Sequence, residues 1–367
     1  MKAATAIDAI DVRTYVFPTP QPEADGTLQW SATTAVTVQA TAGGVTGLGW
    51  SYTDAATAYL ITGTLADVAT GRDAFDLPGS WEAMVRACRN LGRPGLVSHA
   101  VAAVDIALWD LKARLLEVPL SKLFGRCRDT VPVYGSGGFT TLDDDDLTEQ
   151  VEGWLAAGCN AVKIKVGESW GSQPQRDLRR TQHVRSLVGD RAAVMVDANG
   201  GYSVGQACRM ATAYDDLGVV WIEEPVSSDH LDGLATVRAH CRADVAAGEY
   251  GDSVFYFRAM CAADAVDCVQ LDVTRCAGYT EWLRCAAVAA SHGLQVSAHC
   301  APALHAPVAA AVPNLRHVEW FVDHVRLEPL LLQGVPSVIG GEMVLTDAVG
   351  HGMTLNPDAE RWRSGGG

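Results

Sequence analysis

Residues 193–249 read AVMVDANGGYSVGQACRMATAYDDLGVVWIEEPVSSDHLDGLATVRAHCRADVAAGE. Three short apolar runs in this stretch each end in an acid: Asp197, Glu223 and Glu249, spaced 26 residues apart in both steps. An interval of that size accommodates a strand, a turn, a covering helix and a turn back. Three carboxylates on consecutive parallel strands would converge on one spot. A set of oxygen donors without histidine or thiol suits Mg2+, or Mn2+ as a substitute, better than zinc. A single acid at a strand end is as often a helix cap; the matched spacing of three is what favours a metal site.

The same pattern extends outward. Strand candidates fall at 131–135, 161–166, 193–197, 219–223, 245–249, 268–272, 294–299 and 317–321, with amphipathic stretches such as 177–188 and 205–217 between them. Their apolar character on both faces is that of buried parallel strands. Eight of them predict a TIM-type α/β barrel, whose reactive groups gather at the C-terminal strand ends. An open doubly wound sheet would place a glycine-rich phosphate turn after its first strand, and Gly135–Ser136–Gly137–Gly138 is too short for one.

The N-terminal third reads differently. Strands are expected at 7–17, 35–40 and 45–51, and 18–30, with Pro18, Pro20, Pro22 and Gly26, reads as a loop. Val101, Val104, Leu108, Leu111 and Leu115 then recur at helical spacing. The expected organisation is an α+β capping domain at 1–127, a barrel at 128–335 and a C-terminal segment at 336–367 with a frayed tail.

Bulk composition narrows the partners. The chain has 367 residues, 48% of them hydrophobic, and a net charge of −15, which argues against nucleic acid. No apolar run reaches membrane length, no secretory pattern opens the chain, and the ten cysteines form no C-x-x-C pair, so a cytoplasmic protein with scattered core thiols is expected.

Several further residues carry chemistry. Lys163 and Lys165, two apart on one strand, share a face and point into the barrel. Their burial is expected to lower at least one pKa toward neutrality, making a usable base. Asp272 and His299 end successive strands, an arrangement in which the acid fixes the imidazole tautomer and raises its pKa. Glu319, on the eighth strand, is expected to be protonated and to donate to a developing oxyanion. Asn199 is placed to reach a substrate hydroxyl or to hold a ligand in position. Blander readings apply elsewhere. Asp143–Asp146 caps a helix, His305, His324 and His351 lack partners at metal spacing, and Asp105, Trp109 and Lys112 suit packing between cap and barrel.

This constellation resembles the enolase superfamily, and within it the mandelate racemase group. The K-x-K pair falls on Lys163 and Lys165, D-x-N on Asp197 and Asn199, I-E-E-P on 222–225 and G-E on Gly248 and Glu249; the Asp–His dyad falls on Asp272 and His299, and the last-strand glutamate on Glu319. Asp272 stands where the muconate-cycloisomerase group carries a lysine. The resemblance covers nearly the whole chain and implies a modified (β/α)7β barrel with an N-terminal α+β cap. It implies Mg2+ on Asp197, Glu223 and Glu249, with Lys165 and His299 as acid/base groups on opposite faces of a carboxylate substrate. Removal of the proton alpha to the carboxylate gives an ene-diolate. Loss of a β-hydroxyl then makes a 2-keto-3-deoxy acid from an acid sugar, whereas reprotonation makes a racemase or epimerase. A non-catalytic acid-sugar-binding protein is the remaining alternative. The resemblance also implies a homo-oligomer and cap loops, 18–30 and 49–52, that choose the substrate.

Overall fold

The computed structural model describes residues 5–364. Three antiparallel strands, β1 (Ile7–Ala24), β2 (Gln29–Ala42) and β3 (Val45–Tyr52), form the N-terminal sheet in the order β1-β2-β3. The helix Leu96–Leu115 lies against it, with Val101, Val104, Leu108 and Leu111 buried as their spacing predicts.

The expected loop at 18–30 is instead the far end of a long hairpin. Pairing runs from Ile7↔Ala42 to Pro18↔Ala32, breaks, and resumes at Glu23↔Trp30 and Ala24↔Gln29. Pro20 and Pro22 fall in the break, on an edge strand, where a residue without an N–H costs the ladder nothing. Asp25 closes the turn by accepting from Thr27 N (2.6 Å) and Leu28 N (2.7 Å). The tip docks on the barrel: Thr140 N donates to Ala24 O (2.8 Å) and Trp170 N to Gly26 O (2.9 Å). Gly26 lies so close that a Cβ there would be 2.6 Å from Val166 O. Residues 49–52, a cap loop by the family resemblance, belong to β3 (Val45–Tyr52), in line with the strand expected at 45–51.

Eight parallel strands follow: β4 (Thr130–Gly137), β5 (Ala161–Lys165), β6 (Ala193–Asp197), β7 (Val219–Glu223), β8 (Asp244–Ala247), β9 (Cys268–Leu271), β10 (Gln295–Ala298) and β11 (Leu315–Phe321). They lie in sequence order, and β11 pairs with β4 to close the barrel. Glu249, Asp272 and His299 sit just past their strands rather than on the last residue. At the rim the chain leaves the ladder, sharply at Gly248 (φ +131°), and turns these side chains toward the axis. Glu319 instead lies within β11. Tyr134, Met195, Trp221 and Cys268 form an apolar layer inside the barrel.

After β11 the helix Val322–Leu331 leads to Glu342–Val344, which pairs antiparallel with β4, and Ser364 N donates to Thr14 O (2.9 Å) on the cap. Cap and barrel also meet where Asp105 accepts from Thr280 N (2.9 Å) and Oγ1 (2.6 Å), and Trp109 Nε1 donates to Thr280 Oγ1 (2.9 Å). Lys112 turns to Phe75 O, within the cap. Asp143 caps the helix Asp144–Ala156 as expected, and all ten cysteines are free. Among the described residues no helix is long and apolar enough to cross a membrane.

Candidate active site

The register of the parallel strands gathers the three acids. Lys165 pairs with Asp197, and Asp197 with Glu223, as cross-strand neighbours at the C-terminal rim of β5, β6 and β7. One carboxylate oxygen from each of Asp197, Glu223 and Glu249 lies within 4.8 Å of the others, and all three residues are buried. Asp197 accepts from the backbone N–H of Asn199 (2.9 Å), and Glu223 from Trp221 Nε1 (2.9 Å). Glu249 Oε1 accepts from Arg275 Nη1 (2.9 Å), while its buried Oε2 accepts no hydrogen bond, with His299 Nε2 3.3 Å away. Burial and the nearby Asp197 push Glu223 up to about 8. An all-oxygen donor set with an orphaned carboxylate oxygen and crowded like charges fits a hard divalent cation.

The lysines and the histidine surround this cluster. Lys163 Nζ is fully buried and bonds Glu223, Glu319 Oε1 (2.8 Å) and Tyr134 OH (3.3 Å), with Asp197 Oδ2 at 3.9 Å. Lys165 Nζ bonds Asp197 Oδ2. His299 Nδ1 lies 2.8 Å from Asp272 Oδ2, whose other oxygen accepts from Thr274 N and Oγ1 (both 2.7 Å). An ionised Asp272 can only accept, so Nδ1 carries a proton and Nε2, in contact with Cys300 Sγ at 3.3 Å, is the nitrogen left for proton transfer. Lys165, Asn199, Glu249, Asp272 and His299 line one cavity of about 510 Å³, roofed by residues of the cap.

The charges differ from the sequence expectation in two places. Burial would lower the pKa of both lysines, but carboxylates outweigh it: Glu223, Glu319 and Asp197 around Lys163, and Asp197 beside Lys165. Both are held well above the usual lysine range. Burial likewise pushes Glu319 up, yet Lys163, His299 and Lys165 hold it well below the ordinary range, so it is an ionised acceptor rather than a donor. It takes hydrogen bonds from Ser136 Oγ (2.6 Å) and Cys300 N (2.8 Å). For His299 the expected direction holds. Burial lowers its pKa, and Glu249, Glu319 and Asp272 more than restore it, leaving it raised.

Two family models match the chain: "Mandelate racemase / muconate lactonizing enzyme, N-terminal domain" over residues 6–125, and "Enolase C-terminal domain-like" over 146–359. The chain belongs to the mandelate racemase/muconate lactonizing enzyme family of the enolase superfamily. The L-talarate/galactarate dehydratase of Salmonella typhimurium is 33% identical over 326 residues, covering 87% of this chain and 79% of its own. A crystal structure of that enzyme, liganded with Mg and L-lyxarohydroxamate, superposes with a TM-score of 0.91 at 28% identity over 98% of this chain and 93% of that one. The 3,6-anhydro-alpha-L-galactonate cycloisomerase of Streptomyces coelicolor is 33% identical, covering 85% of this chain and 86% of its own. A mandelate racemase/muconate lactonizing enzyme-like protein from Rubrobacter xylanophilus superposes with a TM-score of 0.94 at 42% identity, over 98% of this chain and 100% of that one.

In this member of the mandelate racemase/muconate lactonizing enzyme family, sequence reasoning passed over several residues at the site. Arg275, between Glu249 and Asp272 (3.6 Å), came with no periodic signal. Cys300, its Sγ 3.3 Å from His299 Nε2, reads in sequence as another core thiol. Glu224 is buried with Oε1 unpartnered, and its place beside Glu223 in the I-E-E-P motif was the available clue. His324, set aside for want of a metal partner, lines the cavity.

Proposed function

We propose that this protein is a Mg2+-dependent hydro-lyase that converts an acid sugar to its 2-keto-3-deoxy acid. The observation that carries this reading is that Lys165 and His299 line one cavity together with Glu249, one of three acids whose carboxylate oxygens lie within 4.8 Å of one another. A two-sided arrangement is what proton removal at one carbon and hydroxyl loss at the next require.

Bound to Asp197, Glu223 and Glu249, Mg2+ would supply a Lewis acid for the substrate carboxylate. With Asp197 holding Mg2+, its attraction for the Lys165 ammonium would fall, which would lower the cost of a free amine. Lys165 Nζ then takes the proton alpha to the carboxylate. Lys163, held protonated by Glu319 and Glu223, offers positive charge where the carboxylate gains it. His299 Nε2 delivers a proton to the β-hydroxyl, which leaves as water, and the resulting enol tautomerises to the ketone. Asp272 holds the imidazole in the tautomer this step needs, Glu319 fixes the Cys300 N–H beside it, and the Asn199 amide faces substrate.

Relatives include dehydratases and cycloisomerases, so an isomerase is the second reading. The two separate in a single experiment. Mg2+-loaded protein is incubated in D2O with mono- and dicarboxylic acid sugars, and each α-proton is followed by NMR. A 2-keto product lacking the β-hydroxyl supports the dehydratase. Exchange, inversion or ring rearrangement with all oxygens retained replaces it with the isomerase. No exchange across the panel refutes both and leaves a binding protein.

A further inference from the structure

The residues assigned to proton transfer occupy the barrel side of the cavity. The cap side has its own chemistry: Trp30, Thr34, Tyr52 and Thr53, flanked by the carboxylates of Asp25 and Asp54. The cations that line the cavity, Lys165, Arg275 and His299, all come from the barrel. Arg275 is already matched by Glu249 at 2.9 Å and Asp272 at 3.6 Å. Among the described residues neither Asp25 nor Asp54 forms an ion pair; both spend an oxygen on backbone N–H groups of their own turns.

His324 completes this wall from the helix after β11. Its Nδ1 accepts the N–H of Ala301 (2.9 Å), which places the ring proton on Nε2. Its ring stacks on Tyr52 with centroids 3.7 Å apart and meets Phe321 edge-on at 5.3 Å. Burial holds its pKa down at about 4, so the ring is neutral near pH 7. Among the described residues Nε2 has no hydrogen-bond partner, and the ring lines the cavity. A fixed, uncharged N–H donor beside threonine hydroxyls and an aromatic platform is a surface for reading hydroxyl groups. A second carboxylate there would face two acids and no free cation.

We propose that His324 Nε2–H donates to a hydroxyl at the far end of the substrate, and that the substrate is a polyhydroxy monocarboxylate rather than a dicarboxylate. The assignment rests on the dehydratase reading and narrows it. It makes His324 a specificity-determining residue on the cavity wall where the helix after β11 meets Tyr52 of the cap.

The test compares kcat/KM for aldonates (gluconate, galactonate, arabinonate) with that for aldarates of matching configuration, using the Mg2+-loaded full chain. The aldonates should be preferred by at least about tenfold, the effect of an unfavourable unit charge in a partly solvated site. His324→Asn keeps an acceptor for Ala301 N but loses reach into the cavity. It should lower kcat/KM for the best aldonate about tenfold relative to α-proton exchange of glycerate, which has no distal hydroxyls to lose. His324→Gln, with its amide nearer the Nε2 position, should recover most of that ratio. Aldarates turned over as well as aldonates would overturn the substrate class while the dehydratase reading stands. An aldonate-to-glycerate ratio that His324→Asn leaves unmoved would overturn the role of His324. No exchange with any of these acids would remove the dehydratase reading and this assignment with it.

Discussion

Two glycine-to-alanine substitutions in the cap should move stability in opposite directions. At Gly49, on β3, an added Cβ would lie 2.4 Å from Ala103 O and 2.4 Å from Ala107 N, both backbone atoms of the helix Leu96–Leu115. Ordinary contact lies near 3.5 Å, so strand and helix would have to separate by about 1 Å, and no rotamer change relieves backbone against backbone. The seam that would open is filled by Val36, Val38, Val104 and Leu108, all buried. Overpacking costs about 1–3 kcal/mol, and a gap of this size also forfeits a quarter to a half of the dispersion along the seam, which places Gly49→Ala near 3 kcal/mol. Gly79, in the exposed part of the helix Leu77–Ala87, has nothing within 4 Å of its would-be Cβ. There the same change should stabilise by about 0.4–1 kcal/mol through the unfolded chain. At about 2–4 °C per kcal/mol, thermal unfolding followed by circular dichroism should show a fall of about 6–12 °C for Gly49→Ala and a small rise for Gly79→Ala. The strand also carries function. Ser51 Oγ donates to Thr274 O (2.9 Å), and Tyr52, Thr53 and Asp54 wall the cavity, so Gly49→Ala should raise KM more than it lowers kcat. If the two variants change stability in the same direction, the close approach of sheet and helix is not what holds position 49 to glycine.

Three further outcomes follow from the site and its surroundings. Lys165→Ala should slow α-proton exchange by about 10²–10⁴ while Mg2+ binding by calorimetry persists, because Asp197 loses a competing cation; undiminished exchange would mean another base. Asp272→Asn removes one of the carboxylates that raise His299, so an alkaline limb of kcat/KM reporting protonated His299 should move to lower pH; a limb that stays put assigns it to another group. Burial pushes Glu328 up to about 8 in the folded protein, against about 4.3 unfolded. The folded chain therefore holds an extra proton between those values. This contribution is complete below about pH 4 and is lost as pH rises toward 8, at up to about 1.4 kcal/mol per pH unit. Glu328→Gln cannot ionise, so its stability relative to the parent should climb between pH 5 and 8 and level off above; a flat difference in urea midpoints would show that Glu328 titrates normally.

Much of this molecule was legible in one dimension. The barrel strands announce themselves because a parallel strand buried on both faces must be a short apolar run, and the acids of β6 and β7 end theirs at the rim. Lys163 and Lys165 share a face because a strand repeats every two residues. Trp109 and Asp105 read correctly as packing residues because they recur at helical spacing on a helix buried between cap and barrel.

Other features depend on what closure of the barrel brings together. Lys163 on β5 meets Glu319 on β11 only because β11 pairs with β4; that contact reverses the expected protonation of Glu319 and, with Glu223 on β7, holds Lys163 charged. The hairpin at 18–30 looked like a loop because its prolines were judged locally. Whether an N–H is needed depends on which strand, if any, lies alongside. Arg275 and His324 have no sequence pattern, since each acts through neighbours from other strands or from the cap. Periodicity records which face a side chain takes along its own segment, so the sequence determined the barrel and the positions of its acids. Charge and hydrogen bonding sum over every group within a few ångströms, and only the tertiary structure decided those neighbours.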